Sequence, residues 1–257
     1  MLGAIAGDII GSIYERSNIR STEFPLFSAR SCFTDDTILT VALADSIVYG
    51  EDYRFLLKWY YRQYPDAGFG GAFENWARSE SLDPYNSWGN GSAMRVSPIG
   101  WAFDALDDVL EQAKRSAHVT HNHPAGIAGA QAIASALYLA RTGNSKEAIR
   151  DYITETFHYD LTDTIANLRE HYVFDVSCQG SVPQAIIAFL ESENYEDCVR
   201  KAVSIGGDSD TIASMAGGIA HAFYGPLPDT IKREMYARLD GPLTEVVFHF
   251  CEKYHCG

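Results

Sequence analysis

The sequence predicts an all-α protein on three observations. Apolar residues recur at three and four spacing in segment after segment, and no run of alternating polar and apolar residues stands between turn signals. Small residues also cluster inside the apolar segments rather than between them. At 257 residues and 46% hydrophobic, the chain can build one large core over residues 1–257, since single cores stop growing near roughly 250 to 300 residues.

The opening stretch GAIAGDIIGSIYE, residues 3–15, reads as a helix with Asp8, Gly11, Ser12 and Glu15 on one face. That polar face predicts solvation or a helix-packing hydrogen bond at Asp8, with Glu15 near the helix end. Residues 37–44 continue a helix that Asp35 or a neighbour can cap, and residues 53–64 form another that Pro65 ends. Residues 67–91, rich in Gly, Ser, Asn, Asp and aromatics, are the most loop-like stretch and the candidate wall of a site. Residues 124–141 are Ala-rich and stop at Thr142-Gly143-Asn144. Residues 182–190, 195–204, 210–224 and 229–239 repeat the helical pattern. An interior Gly costs a helix about 1 kcal/mol relative to Ala, so glycines clustered at residues 3–11, 126–129 and 217–218 predict helices in close approach.

Charge narrows the function. With 34 Asp plus Glu against 20 Lys plus Arg, the net charge of -14 leaves no broad basic face for nucleic acid or anionic membrane. No segment offers the roughly 18 uninterrupted apolar residues of a spanning helix. The opening segment lacks a basic leader region and carries Asp8 and Glu15, so a cytoplasmic location is expected. Cys32, Cys178, Cys198, Cys251 and Cys256 are scattered, without CxxC pairs, and read as free thiols.

Two acidic clusters stand at helix starts: Thr34-Asp35-Asp36-Thr37 and Gly206-Gly207-Asp208-Ser209-Asp210-Thr211. Capping explains one acid at each place, because Asp, Ser and Thr accept from orphan helix N–H groups. A second adjacent carboxylate adds like-charge repulsion, which a bound cation would remove. Carboxylates with hydroxyls, and no sulfur, form an all-oxygen set suited to Mg²⁺, Mn²⁺ or Ca²⁺ rather than Zn²⁺. Trp88-Gly89-Asn90-Gly91-Ser92 precedes a short helical stretch and reads either as an ordinary turn or as a phosphate-cradling backbone. His121 and His123 open the Ala-rich helix; without a third nitrogen or sulfur ligand they read better as substrate-contacting groups than as a zinc pair. Phe69, Tyr85 and Trp88 read as packing residues, with stacking on a flat ring of a ligand as the alternative.

In order along nearly the whole chain, GAIAGDIIGSIYE, FTDDT at residues 33–37, GNGSAMRVSPIG at 89–100, THNHPAGIAGAQAIA at 120–134, GSVPQAIIAFLES at 180–192 and SIGGDSDTIASMAGGIAHAFYG at 204–225 resemble the ADP-ribosylglycohydrolase family. The resemblance implies a single orthogonal helical domain with two Mg²⁺ or Mn²⁺ ions in an ADP-ribose cleft. It implies Thr34, Asp35, Asp36, Asp208, Asp210 and Thr211 as metal ligands. Gly89, Asn90, Gly91 and Ser92 match its phosphate-contacting loop, His121 its ADP-ribose histidine with His123 adjacent, and Glu15 and Asp36 its acid/base carboxylates. The implied reaction is hydrolysis of the glycosidic bond at C1″, releasing ADP-ribose from a modified protein side chain, arginine first and serine or another next. A small ADP-ribose derivative is the alternative substrate, and a non-catalytic crystallin-like or ADP-ribose-binding member the alternative class. An isoprenoid-type Mg²⁺ enzyme is the rival on residue types alone, but Asp35-Asp36 lacks the third acid of DDxxD.

Overall fold

Helix follows helix along the computed structural model, which describes residues 1–257 and contains no strand. The first half comprises α1 (Leu2–Gly11), α2 (Asp35–Tyr49), α3 (Tyr53–Gln63), α4 (Gly71–Arg78), α5 (Gly91–Met94), α6 (Ser97–Ala102), α7 (Leu106–His118) and α8 (Pro124–Arg141). The second comprises α9 (Lys146–Phe157), α10 (Ile165–His171), α11 (Cys178–Leu190), α12 (Tyr195–Ser204), α13 (Ser209–Tyr224), α14 (Asp229–Tyr236) and α15 (Gly241–Tyr254). One isolated antiparallel bridge, Gly89 to Ser177, is the sole β pairing.

Small residues set the centre. Every residue of α1 is buried, and its small face lies against α13 so closely that a Cβ at Gly7 would overlap the Ala213 carbonyl oxygen. Side chains larger than hydrogen would hold the two axes apart. Around this pair, 70 buried residues form one contiguous apolar core running from Met1 to Cys256. No helix is long and apolar enough to cross a membrane.

Three elements depart from expectation. The opening helix stops at Gly11, because Ser12 turns its hydroxyl back onto the Ile9 carbonyl and the chain tightens there. Residues 12–34 then run as a long strap, and Glu15 lies on it rather than on a helix. Within the expected loop 67–91, residues 71–78 form α4, which buries Phe73, Trp76 and Ala77; Lys58 donates to the Trp76 and Ser79 carbonyls that its end leaves free. Finally, α11 starts at Cys178, ahead of Pro183, because Ser177 caps it and the Cys178 N–H is anchored on the Trp88 carbonyl.

Candidate active site

Asp8, at the inner end of α1, organises the start of α2. Fully buried, it accepts from the Thr34 N–H at 3.0 Å, the Thr34 hydroxyl at 2.7 Å, the Thr37 N–H at 3.1 Å and the Thr37 hydroxyl. The solvated face expected on α1 is therefore absent. Thr34, not Asp35, caps α2, accepting from the Asp36 N–H. Asp35 and Asp36 are left with no capping role.

The second cluster is built differently. Gly206 and Gly207 both adopt positive φ, and a Cβ at Gly207 would meet the Tyr172 ring, so the turn that presents Asp208 requires glycine. Asp208 stands at the N-cap of α13 but makes no capping bond; instead it accepts from Asn90 Nδ2 at 2.7 Å. Thr211 donates to Asp36 Oδ1 at 3.2 Å, joining the two helix starts. The strap is clipped to the same turn. Asn18 both donates to the Gly207 carbonyl and accepts from its N–H, at 2.9 and 2.8 Å, and Arg20 holds the Ile205 and Tyr172 carbonyls.

Five aspartates thus share one buried region with Glu15 at its edge. Burial, then repulsion from Asp8 and Asp208, pushes Asp35 up to about 8, although it is still partly exposed to the cleft. Burial, followed by neighbouring aspartates, holds Asp36 and Asp210 well above the ordinary carboxylate range. Burial also raises Asp208, and it raises Asp8 to about 6 against the opposing pull of its four hydrogen bonds. Glu15 is raised by burial and then by Asp208. None of the six salt bridges of the chain reaches these acids.

The donor set suits hard divalent cations: carboxylates and hydroxyls, excess negative charge, and one buried oxygen, Asp36 Oδ2, with no hydrogen-bond partner. No three His, Cys, Asp or Glu side chains stand in a formed metal-ligand shell. Asp36 Oδ1, Asp208 and Asp210 Oδ1 are turned toward hydroxyl and amide donors, while Asp35 and Asp36 Oδ2 accept no hydrogen bond from another residue.

The acids open into a cleft of about 420 Å³ lined also by Arg16, Phe73, Tyr85, Arg95, Phe174 and Val176. Thr34, Asp35, Asp36, Asp208, Asp210, Thr211 and Glu15 all reach it, as do Gly89, Asn90, Gly91 and His121. Two expected contact residues do not. Ser92 is fully buried and donates to the Gly126 carbonyl at 2.7 Å. His123 is the N-cap of α8, its Nδ1 accepting from the Ala125 N–H, and it does not line the cleft. The glycine turn is narrower in capacity than its sequence implies. The Gly89 N–H is taken by Ser87 Oγ and the Asn90 N–H by the Val176 carbonyl, which leaves the Gly91 N–H as the turn's donor at the cleft.

Of the aromatics, Phe69 is buried against Tyr61 and Phe73, Tyr85 lines the cleft, and Trp88 is 53% exposed. Asp8 makes the helix-packing hydrogen bonds that its place on the opening helix allowed, whereas sequence reasoning missed Arg16, Arg95, Phe174 and Val176. Arg95 had a signal, a charged residue inside the apolar run AMRVSPIG; Phe174 and Val176, in the irregular stretch before α11, had none.

A family model described as ADP-ribosylglycohydrolase matches residues 1–253. The chain is similar to the mouse ADP-ribosylhydrolase ARH3, with 28% identity covering 88% of this chain and 82% of the mouse protein. It is similar as well to the ADP-ribosylarginine hydrolase Tri1 of Pseudomonas putida, with 26% identity covering 88% of this chain and 69% of that protein. A solved structure described as an ADP-ribosylglycohydrolase-related protein complex superposes with a TM-score of 0.74 at 24% identity, over 99% of this chain and 96% of that one, a likeness of fold.

Proposed function

The chain belongs to the ADP-ribosylglycohydrolase family, and from that premise we propose that it hydrolyses the glycosidic bond at C1″ of an ADP-ribosyl group, releasing ADP-ribose from a modified protein side chain. The observation that carries the reading is the convergence of both acidic helix starts and the glycine turn on one cleft. Names of the similar proteins support the substrate class, since both act on ADP-ribosyl groups by name.

Thr34, Asp35, Asp36, Asp208, Asp210 and Thr211 would hold two divalent cations, Mg²⁺ or Mn²⁺, which when bound polarise ribose hydroxyls and acidify a water. The chain's own groups supply the rest. The Gly91 N–H is the turn's donor to a pyrophosphate oxygen at the cleft, so an acidic protein can meet an anion there without a basic motif. Water adds to C1″ as the bond to the leaving nitrogen or oxygen breaks; the leaving atom takes one proton and the attacking water gives one up. Of the two carboxylates expected to carry those protons, Glu15 stands on the strap at the cleft, half-buried and with its carboxyl raised, as a general acid requires. Asp36 is 2% exposed and already bonded to Thr211, so we assign it to the cation site and the proton to Glu15 Oε.

Incubation with ADP-ribosylated arginine and serine peptides, with and without Mg²⁺, tests the reading. Free ADP-ribose released only with the metal is the expected result. Cleavage of small ADP-ribose derivatives but of neither peptide would move the substrate to the small-molecule class.

A further inference from the structure

Arg95 is a buried cation without an anion. Its side chain is wholly enclosed, no carboxylate pairs with it, and Nε and Nη1 lack partners; only Nη2 is engaged, donating to the Ser116 carbonyl at 3.0 Å and to Thr120 Oγ1 at 2.8 Å. Burial draws it down to about 10, which still leaves it charged at neutral pH. A guanidinium so placed at the back of a cleft, bonded to a threonine hydroxyl that itself touches a cleft histidine, calls for a reason beyond packing.

We infer that Arg95, acting through Thr120, fixes His121 as the Nε2–H tautomer, so that the imidazole donates a hydrogen bond into the cleft at the Gly89–Gly91 turn. Arg has no acceptor, so Thr120 Oγ1 must receive the Nη2 proton. The single hydroxyl proton of Thr120 then has two neighbours, the Tyr85 hydroxyl and His121 Nδ1, the latter 2.8 Å away and the stronger acceptor. Two effects favour that direction. A guanidinium bonded to the hydroxyl oxygen polarises it and makes its proton a better donor, and the Arg95 charge favours a lone pair, not a second N–H, on the imidazole nitrogen facing it. Burial and then Arg95 hold His121 well below its ordinary pKa, so the ring is neutral and one tautomer must be chosen.

The far nitrogen faces the ligand side. Nε2 lies so near the glycine turn that a Cβ at Gly91 would stand 3.2 Å from it and one at Gly89 3.6 Å from it. Tyr85 packs on the ring at 5.9 Å, and the Thr120 and His121 N–H groups both bond the Ala117 carbonyl, so the imidazole has a fixed orientation. Nε2–H therefore joins the Gly91 N–H as a second donor beside the turn. Arg95 touches no ligand in this account and is a positioning residue. The role assigned to the donor rests on the ADP-ribose reading of the cleft; the tautomer does not.

Nitrogen-15 NMR of the histidine-labelled full chain, with His121 assigned from the signals lost in His121→Gln, reads the tautomer directly. The expected spectrum has one His121 form, unprotonated at Nδ1 and protonated at Nε2. Thr120→Val and Arg95→Met, both close in volume to the originals, should each give a mixture of tautomers and weaken ADP-ribose binding by the inverse of the remaining Nε2–H fraction, about 2-fold for an even mixture. Thr120→Ser should restore both readouts. A His121 protonated at Nδ1 in the unaltered chain, or a single unchanged tautomer in both variants, overturns the inference. Failure of the unaltered chain to bind ADP-ribose while its tautomer is as expected contradicts the proposed ligand instead.

Discussion

Asp8 is the residue on which the two halves of the site depend, because it ties α1 to the first acidic motif through Thr34 and Thr37. Asp8→Ala strands two buried N–H groups and two hydroxyls, and is expected to lower unfolding free energy by about 3 kcal/mol in urea titrations, near the upper end for an unsatisfied buried set. The carboxyls also make stability depend on pH in an unusual direction. Their folded pKa values lie above the usual 3.8, so the folded chain holds these protons more tightly than the unfolded one. That contribution is fully present below the ordinary carboxylate range and is lost as pH rises through about 6 for Asp8 and about 8 for Asp35. Metal-free protein should therefore lose Tm between pH 5 and 8 (roughly the span these values set), as read by calorimetry. The gathering of acids at two helix starts was legible in the sequence, because paired acids at a helix start exceed what a cap needs. The fates of Ser92 and His123 were not, since whether a side chain faces a cleft or a neighbouring carbonyl depends on tertiary packing against Gly126 and α8.

At the scale of elements, the close approach of α1 and α13 places Asp8 and Asp210 in one region. Gly7→Ala drives a methyl group into the Ala213 backbone and is expected to cost about 3 kcal/mol, whereas Gly71→Ala, with open space around it, should be stabilising by up to about 1 kcal/mol. Chemical denaturation of the two variants separates close packing from simple helix propensity, which alone would stabilise both. The strap carrying Glu15 is the second element with a role. Asn18→Ala removes both of its bonds to Gly207 and should lower kcat for ADP-ribose release about 10-fold or more while leaving the α1–α13 core and far-UV signal unchanged. Helices built on dense apolar or small-residue patterns, such as residues 124–141, were readable from spacing. Those that bury little were not: α9 buries only Ile149 and Ile153, and α4 spans 8 residues, too short for periodicity to declare itself.

For the whole molecule, the net charge of -14 overstates the surface charge, because four aspartates face one cleft and a fifth, Asp8, is buried behind them. Two divalent cations would bring about +4 to it and remove the repulsion that raises Asp35, Asp36 and Asp210. A ligand bound only by the folded state stabilises it by mass action. Since cation binding requires deprotonated carboxyls, added Mg²⁺ should raise Tm more at pH 8 than at pH 6 (values set by the roughly two-unit spread of these groups).

Titration calorimetry of the metal-free chain with Mn²⁺ at about pH 8, alongside the Asp36→Asn, Asp210→Asn double variant, decides whether the two acidic helix starts hold cations. The account predicts two ions bound per chain and at least about 10-fold weaker binding in the variant. Absence of divalent-cation binding by the unaltered chain, or an unchanged isotherm in the variant, would contradict it.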